Sequence, residues 1–228
     1  MLPNLLLPRL IAPVPRPPEW LKGDWRFGIG VGTKLPDLSR YRAHGTISGA
    51  DWATGAHGKC LNFNKAVPDY VEIPASYTQL NFTTQDFSLV SRVYIDDLSA
   101  NGRLFIRGDA SVDGWDIYLH TSLLVVVETH QLGVGQVSYT NVGTIGTGQW
   151  YTIGFSRDGA SVKIYIDGVY DSLFADTHLN PASCSRSAKI GVDDNKISNP
   201  FDGKIEFLRI FGRALPASEH LAYHNALA

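Results

Sequence analysis

Only two cysteines, Cys60 and Cys184, occur in the chain. That is too few for a disulfide scaffold or a four-thiolate zinc site; a single bridge between them is open, although nothing in the sequence places them together. Charged side chains make up only 18% of the residues, 20 basic against 22 acidic, so there is no positive field to follow a phosphate backbone. No apolar run approaches the roughly 18 residues of a membrane span. Neither nucleic acid nor membrane is therefore expected as a partner. Methionine occurs once, whereas 22 Gly, 12 Pro, 5 Trp, 10 Tyr and 10 Phe favour short strands joined by tight turns over a helical bundle. A chain of 228 residues suits one domain that buries about 70% of its unfolded surface without a staple.

The prolines are unevenly spread. Pro3, Pro8, Pro13, Pro15, Pro17 and Pro18 exclude a helix interior or a central strand at the start of the chain. Residues 1–21 are expected to run extended as an arm, and residues 22–228 to form the domain. Leu5, Leu6, Leu7, Leu10, Ile11 and Val14 make that arm apolar, so it wants a surface, either its own domain or another subunit. The opening segment lacks a basic n-region and its apolar stretch is broken by prolines, so the protein is expected to be made without classical secretion.

From Trp25 onward the text is β-like. KCLNFN (59–64), DFSLVSRVYID (86–96), WDIYLH (115–120), LLVVVET (123–129), WYTIGFSRD (150–158), SVKIYIDG (161–168) and KIEFLRIFG (204–212) are short runs rich in β-branched and aromatic residues. In SVKIYIDG, Val162, Ile164 and Ile166 are expected on one face and Lys163 and Tyr165 on the other. Asp158-Gly159 and Asp167-Gly168 read as hairpin turns, and strands returning this often describe an antiparallel sandwich. One helix is expected, over 216–227, with Pro216 near its first position and Glu219 in its first turn.

Catalytic patterns are sparse. Asp96-Asp97 and Asp193-Asp194 are adjacent pairs at a strand end and in a loop, not carboxylates alternating along one strand face as a glycosidase would need. No Gly-x-Ser-x-Gly elbow is present, and His57 near Cys60 reads as a loop histidine beside a buried strand cysteine. His220 and His224 have the i, i+4 spacing of a zinc helix, but Leu221 stands where the general-base Glu should follow, so a solvated helix face is expected. No enzyme activity is expected. Trp115, Tyr118, His120, His130 and Tyr139 are the candidate aromatic and polar platforms for a glycan, with core packing as the alternative for the same residues.

Four blocks, DLSRYRAHGTISGADW (37–52), DYVEIPASYTQLNFTTQDFSLVSRVYI (69–95), QWYTIGFSRDGASVKIYIDGV (149–169) and IGVDDNKISNPFDGKIEFLRIFGRALPASE (190–219), carry a family likeness. In combination they resemble the laminin G-like, concanavalin A-like jelly roll, in the version common among bacterial surface proteins and bacteriophage virions. The resemblance implies an all-β, two-sheet antiparallel jelly-roll sandwich with a short C-terminal helix. It also implies a structural Ca2+, for which Asp37 and Glu206 are the carried-over ligands; Glu206 stands where the family usually has Asp, and Pro216 where it often has a Ser cap. A displayed fold without an export signal implies a virion component, assembled in the host cytoplasm and exposed on the particle. The expected role is a non-enzymatic structural protein of capsid or tail, its arm docking onto other virion proteins and a homo-oligomer conceivable. The alternative is a carbohydrate-binding or adhesion module recognising cell-surface glycans.

Overall fold

The computed structural model describes residues 17–226, so the arm residues Leu5, Leu6, Leu7, Leu10, Ile11 and Val14 lie outside the described residues. The first strands are β1 (Leu21–Arg26), β2 (Lys34–Leu35), β3 (Gly45–Ser48), β4 (Asp51–Thr54), β5 (Lys59–Phe63) and β6 (Tyr70–Ile73). Next come β7 (Phe87–Asp97), β8 (Gly102–Asp109), β9 (Asp113–His120), β10 (Leu124–Gln131), β11 (Val134–Tyr139) and β12 (Trp150–Asp158). The chain closes with β13 (Ser161–Ile166), β14 (Val169–Asp171), β15 (Phe174–Ala175), β16 (Ala188–Ile190), β17 (Asp202–Phe211) and helix α1 (Ala217–Asn225).

These strands form two antiparallel sheets, the sandwich that the sequence implies. One runs β14-β13-β12-β7-β17-β5-β4, with β1 also on β17; the other runs β15-β11-β10-β9-β8-β16-β6-β3-β2. The alternation in β13 decides its placement: Val162, Ile164 and Ile166 enter the core, Lys163 is exposed, and Tyr165 turns to the outer face beneath α1. Asp167 and Gly168 both have positive φ (50° and 79°), the signature of a type I′ turn. The other hairpin is offset by one residue. Asp158 pairs with Ser161, leaving Gly159-Ala160 as the loop.

Aromatic packing fills the space between the sheets. Trp115 lies 4.8 Å from Phe105 and 4.8 Å from Phe87, and within 6.0 Å of Phe82 and Phe155. Its Nε1–H donates to the Leu80 carbonyl (3.2 Å), so the one polar atom of the ring is satisfied in the interior. On the outer face of the other sheet, Val90, Phe207, Phe211 and Leu215 form a smaller apolar cluster with Leu21 and Tyr223. Helix α1 starts at Ala217 with Pro216 as its N-cap and no side-chain cap; Glu219 in its first turn is bound by both terminal nitrogens of Arg213 (3.0 and 2.6 Å). No helix among the described residues is long and apolar enough to cross a membrane.

One expectation shifts, and one open question closes. The domain begins before residue 22, because Leu21 already pairs with Phe211 and Trp20 packs on Phe211 and under the Arg213 guanidinium (5.9 and 4.5 Å). Cys60 and Cys184 are both free and buried, so no bridge joins them. Burial, with the charge of Glu206, pushes the Cys60 thiol up to about 11.

Candidate functional site

Strand β9 sorts its residues by parity. Trp115, Ile117 and Leu119 belong to the core, so Asp116, Tyr118 and His120 take the outer face. Residues paired across strands share a face, and the register extends these rows over three strands. Tyr118 pairs with Val126, which pairs with Tyr139; Asp116 pairs with Glu128, which pairs with Val137; His120 pairs with Leu124.

The first and third rows form the walls and floor of a groove of about 380 Å3, lined also by Ser122, Val137, Val142 and Leu173. Tyr139 is steadied by Phe174, stacked 5.2 Å away on the edge strand. The Ser122 N–H donates to His120 Nδ1 (3.0 Å), which places the proton of a neutral His120 ring on Nε2. The hairpin between β9 and β10 carries Leu123 at φ 59°, a left-handed conformation that costs a non-glycine residue about 1 kcal/mol or more.

The second row carries charge beneath the groove wall. Arg103 Nη1 meets Asp116 Oδ1 at 2.7 Å, its Nε binds Asp193, and its guanidinium lies 4.6 Å from the Tyr118 ring centre. His130 Nε2 meets Asp116 Oδ2 at 3.0 Å and Glu128 Oε2 at 3.6 Å, while the Tyr118 hydroxyl donates to Glu128 Oε1 at 3.4 Å. Burial and the charge of Asp116 push the Glu128 carboxyl above its ordinary value, against the pull of His130 and Arg103. Burial pulls the His130 imidazole down, but the hydrogen bond and charge of Asp116, with Glu128, outweigh it and raise it. Tyr118 is thus clamped from behind, by a cation on its ring and a carboxylate on its hydroxyl, and presents a fixed wall.

Asp116, Glu128 and His130 bring three ligating atoms within 4.8 Å of one another, yet the arrangement does not suit a metal ion. The Ser111 N–H donates to His130 Nδ1 (3.1 Å), so the ring proton sits on Nε2, the atom an ion would need. Arg103 already neutralises Asp116.

The remaining sequence candidates fall elsewhere. Trp115 is not a platform: it is 0% exposed, packed between Phe105 and Phe87 at 4.8 Å from each. His130 is not a platform either; both its nitrogens are engaged under the surface. Tyr118, His120 and Tyr139 do meet, on the groove. Asp37 and Glu206 do not form a calcium site. The two Asp37 oxygens accept from Asp24 N, Ser39 N, Ser39 Oγ and Ala43 N (2.8, 2.8, 2.6 and 2.7 Å) in full burial, which leaves no lone pair directed at an ion. Glu206 is turned to His57, accepting from its backbone N–H (2.7 Å) and meeting Nδ1 (3.1 Å). Nor is α1 solvated at His220, which is buried and bonded through Nε2 to Ser156 Oγ (2.8 Å). Its side chain fills the space above Gly154, where a Cβ would stand 2.6 Å from His220 Nδ1.

Two antiparallel sheets packed face to face around one core make this a jelly-roll-type sandwich. The chain belongs to the concanavalin A-like lectin/glucanases superfamily, whose laminin G-type model matches residues 65–219. No curated protein matches the sequence. Among solved structures it is similar to the binding domain of Paraclostridial Mosquitocidal Protein 1, at 20% identity and TM-score 0.71 over 90% of this chain and 52% of that one. It is also similar to the Botulinum neurotoxin serotype G binding domain (14%, TM-score 0.67, 90% and 51%) and to Trypanosoma rangeli sialidase in complex with sialic acid (16%, TM-score 0.67, 91% and 33%). The chain thus spans about half of the toxin domains and a third of the sialidase, and at these identities the likeness is one of fold.

Proposed function

We propose that this chain is a non-catalytic glycan-binding module that takes saccharides in the groove between Tyr118 and Tyr139. The carrying observation is the row Tyr118, Val126, Tyr139, two aromatic rings flanking an apolar floor, with His120 and Ser122 at its rim. A sugar ring offers a C–H face to the aromatics and hydroxyls to the polar rim, the mix that small-ligand sites supply. Catalysis has little support from the neighbouring acidic pair, because Asp116 is sealed under Arg103 and His130. The names of the similar structures, two of them binding domains and one a sialidase holding sialic acid, favour a recognition role.

The test is a glycan array followed by calorimetry on the best saccharide. Tyr139→Ala is expected to weaken binding at least tenfold, about 1.4 kcal/mol, with the thermal midpoint little changed. Unchanged affinity in Tyr139→Ala and Tyr118→Ala alike would remove the groove as the site.

The second reading is a structural component of a phage particle, attached through the arm. Its support is the family resemblance together with the apolar, proline-rich run over residues 1–16 of the sequence. A chain lacking residues 1–16 is expected to stay folded and lose co-sedimentation with particles; retained attachment would end this reading.

A further inference from the structure

A second recess lies on the outer face of the other sheet and goes beyond the glycan reading. Strand β17 outlasts its neighbours on one side: Gly203 to Ile205 pair with β5, Phe207 to Phe211 pair with β1, and the two partners part at Glu206. A hollow of about 210 Å3 opens at the parting, lined by Arg26, His57, Lys59, Glu206 and Arg209, with Phe207 as its apolar wall.

Its charges are arranged with donors to spare. Asp24, only 2% exposed, holds both guanidiniums: Arg26 by Nε (3.1 Å to each oxygen) and Nη2 (2.9 Å), and Arg209 by Nε (2.8 Å). One carboxylate thereby fixes two cations side by side. Among the described residues, Arg26 Nη1 and both terminal nitrogens of Arg209 have no hydrogen-bond acceptor. The Arg209 guanidinium is further steadied 5.3 Å from the ring centres of Phe207 and Tyr223. Lys59 adds a third cation. Of the two carboxylates, Asp24 is bound as described and Glu206 is capped by the His57 backbone N–H and faces its ring, so the hollow keeps a net positive charge.

We propose that this hollow binds an oxyanion, the carboxylate, sulfate or phosphate group of an acidic ligand, through the free nitrogens of Arg26 and Arg209 and the Lys59 ammonium. Planar guanidinium forks held in fixed positions match oxyanion geometry. Such a group could be carried on an acidic saccharide or be free in solution.

The experiment follows the arginine Nε–Hε resonances of the full chain during titration with sodium glucuronate, sulfate, phosphate and, as a neutral control, glucose, at constant ionic strength. Arg26 and Arg209 signals are expected to shift and saturate in the low millimolar range with at least one anion and not with glucose; the anion that saturates first separates an acidic sugar from a free inorganic ion. Lys59→Gln, at an exposed position, should weaken that binding at least threefold, and Arg209→Gln should abolish it. Non-saturating shifts with every anion, an equal response to glucose, or unchanged saturation in Lys59→Gln would overturn the proposal.

Discussion

Replacing Trp115 with alanine is expected to destabilise the fold by about 3–5 kcal/mol while leaving saccharide affinity of the folded fraction unchanged. The indole is fully buried, touches Phe82, Phe87, Phe105 and Phe155, and gives its N–H to Leu80. Truncation opens a cavity among rings contributed by both sheets and leaves the Leu80 carbonyl without its donor, so transfer, cavity and hydrogen-bond losses add. For a domain of this size each kcal/mol moves the thermal midpoint by roughly 2–4 °C, which predicts a fall of about 10 °C. Urea denaturation followed by circular dichroism measures the first quantity, and calorimetry below the transition measures the second. A stability change under 1 kcal/mol together with lost affinity would mean that the outer face has been assigned to the wrong parity.

That assignment shows what a strand sequence reveals. WDIYLH holds its own answer: an odd-numbered Trp115 and even-numbered Tyr118 and His120 cannot share a face of one strand. The period separates Trp115 from the other two, and the apolar partners Ile117 and Leu119 mark the inner side. The sandwich, the β13 alternation and the terminal helix are legible because each rests on a local period or turn residue. The charged row is not, because Asp116 meets Glu128 only through the hairpin register, and that register depends on a turn, Thr121 to Leu123, with no glycine to announce it. Arg103 and Asp193 join from another strand and a distant loop. The Asp37 and Glu206 pair fails for a related reason: Asp37 is engaged by three backbone N–H groups and Ser39 Oγ, and Glu206 by the N–H and ring of the sequence-distant His57.

Acidification is expected to weaken the fold well above the pH at which carboxylates titrate. His178 lies inside the sandwich with Nδ1 on Thr129 Oγ1 (2.9 Å) and Nε2 on Ser138 Oγ (2.8 Å), and burial pushes it down to about 4. His220, stacked 4.0 Å from Tyr165 and bonded to Ser156, is likewise pushed down to about 4 by burial. In the unfolded chain each titrates near 6.5, so between roughly pH 6.5 and 4 the unfolded state holds protons that the folded state refuses. Stability is complete above that window and falls as pH drops through it, by roughly 2–3 kcal/mol per histidine from pH 7 to 4.5. His130 acts with the opposite sign, since its raised value favours the folded state on the acid side. A His220→Gln substitution separates the contributions, because glutamine keeps a partner for Ser156 and cannot titrate. Unfolding free energies from urea titrations between pH 7.5 and 4.5 should fall steeply for the native chain and by about 2–3 kcal/mol less for His220→Gln. Parallel curves for the two proteins would mean that His220 takes up its proton without leaving the cluster of Ser156 and Tyr165.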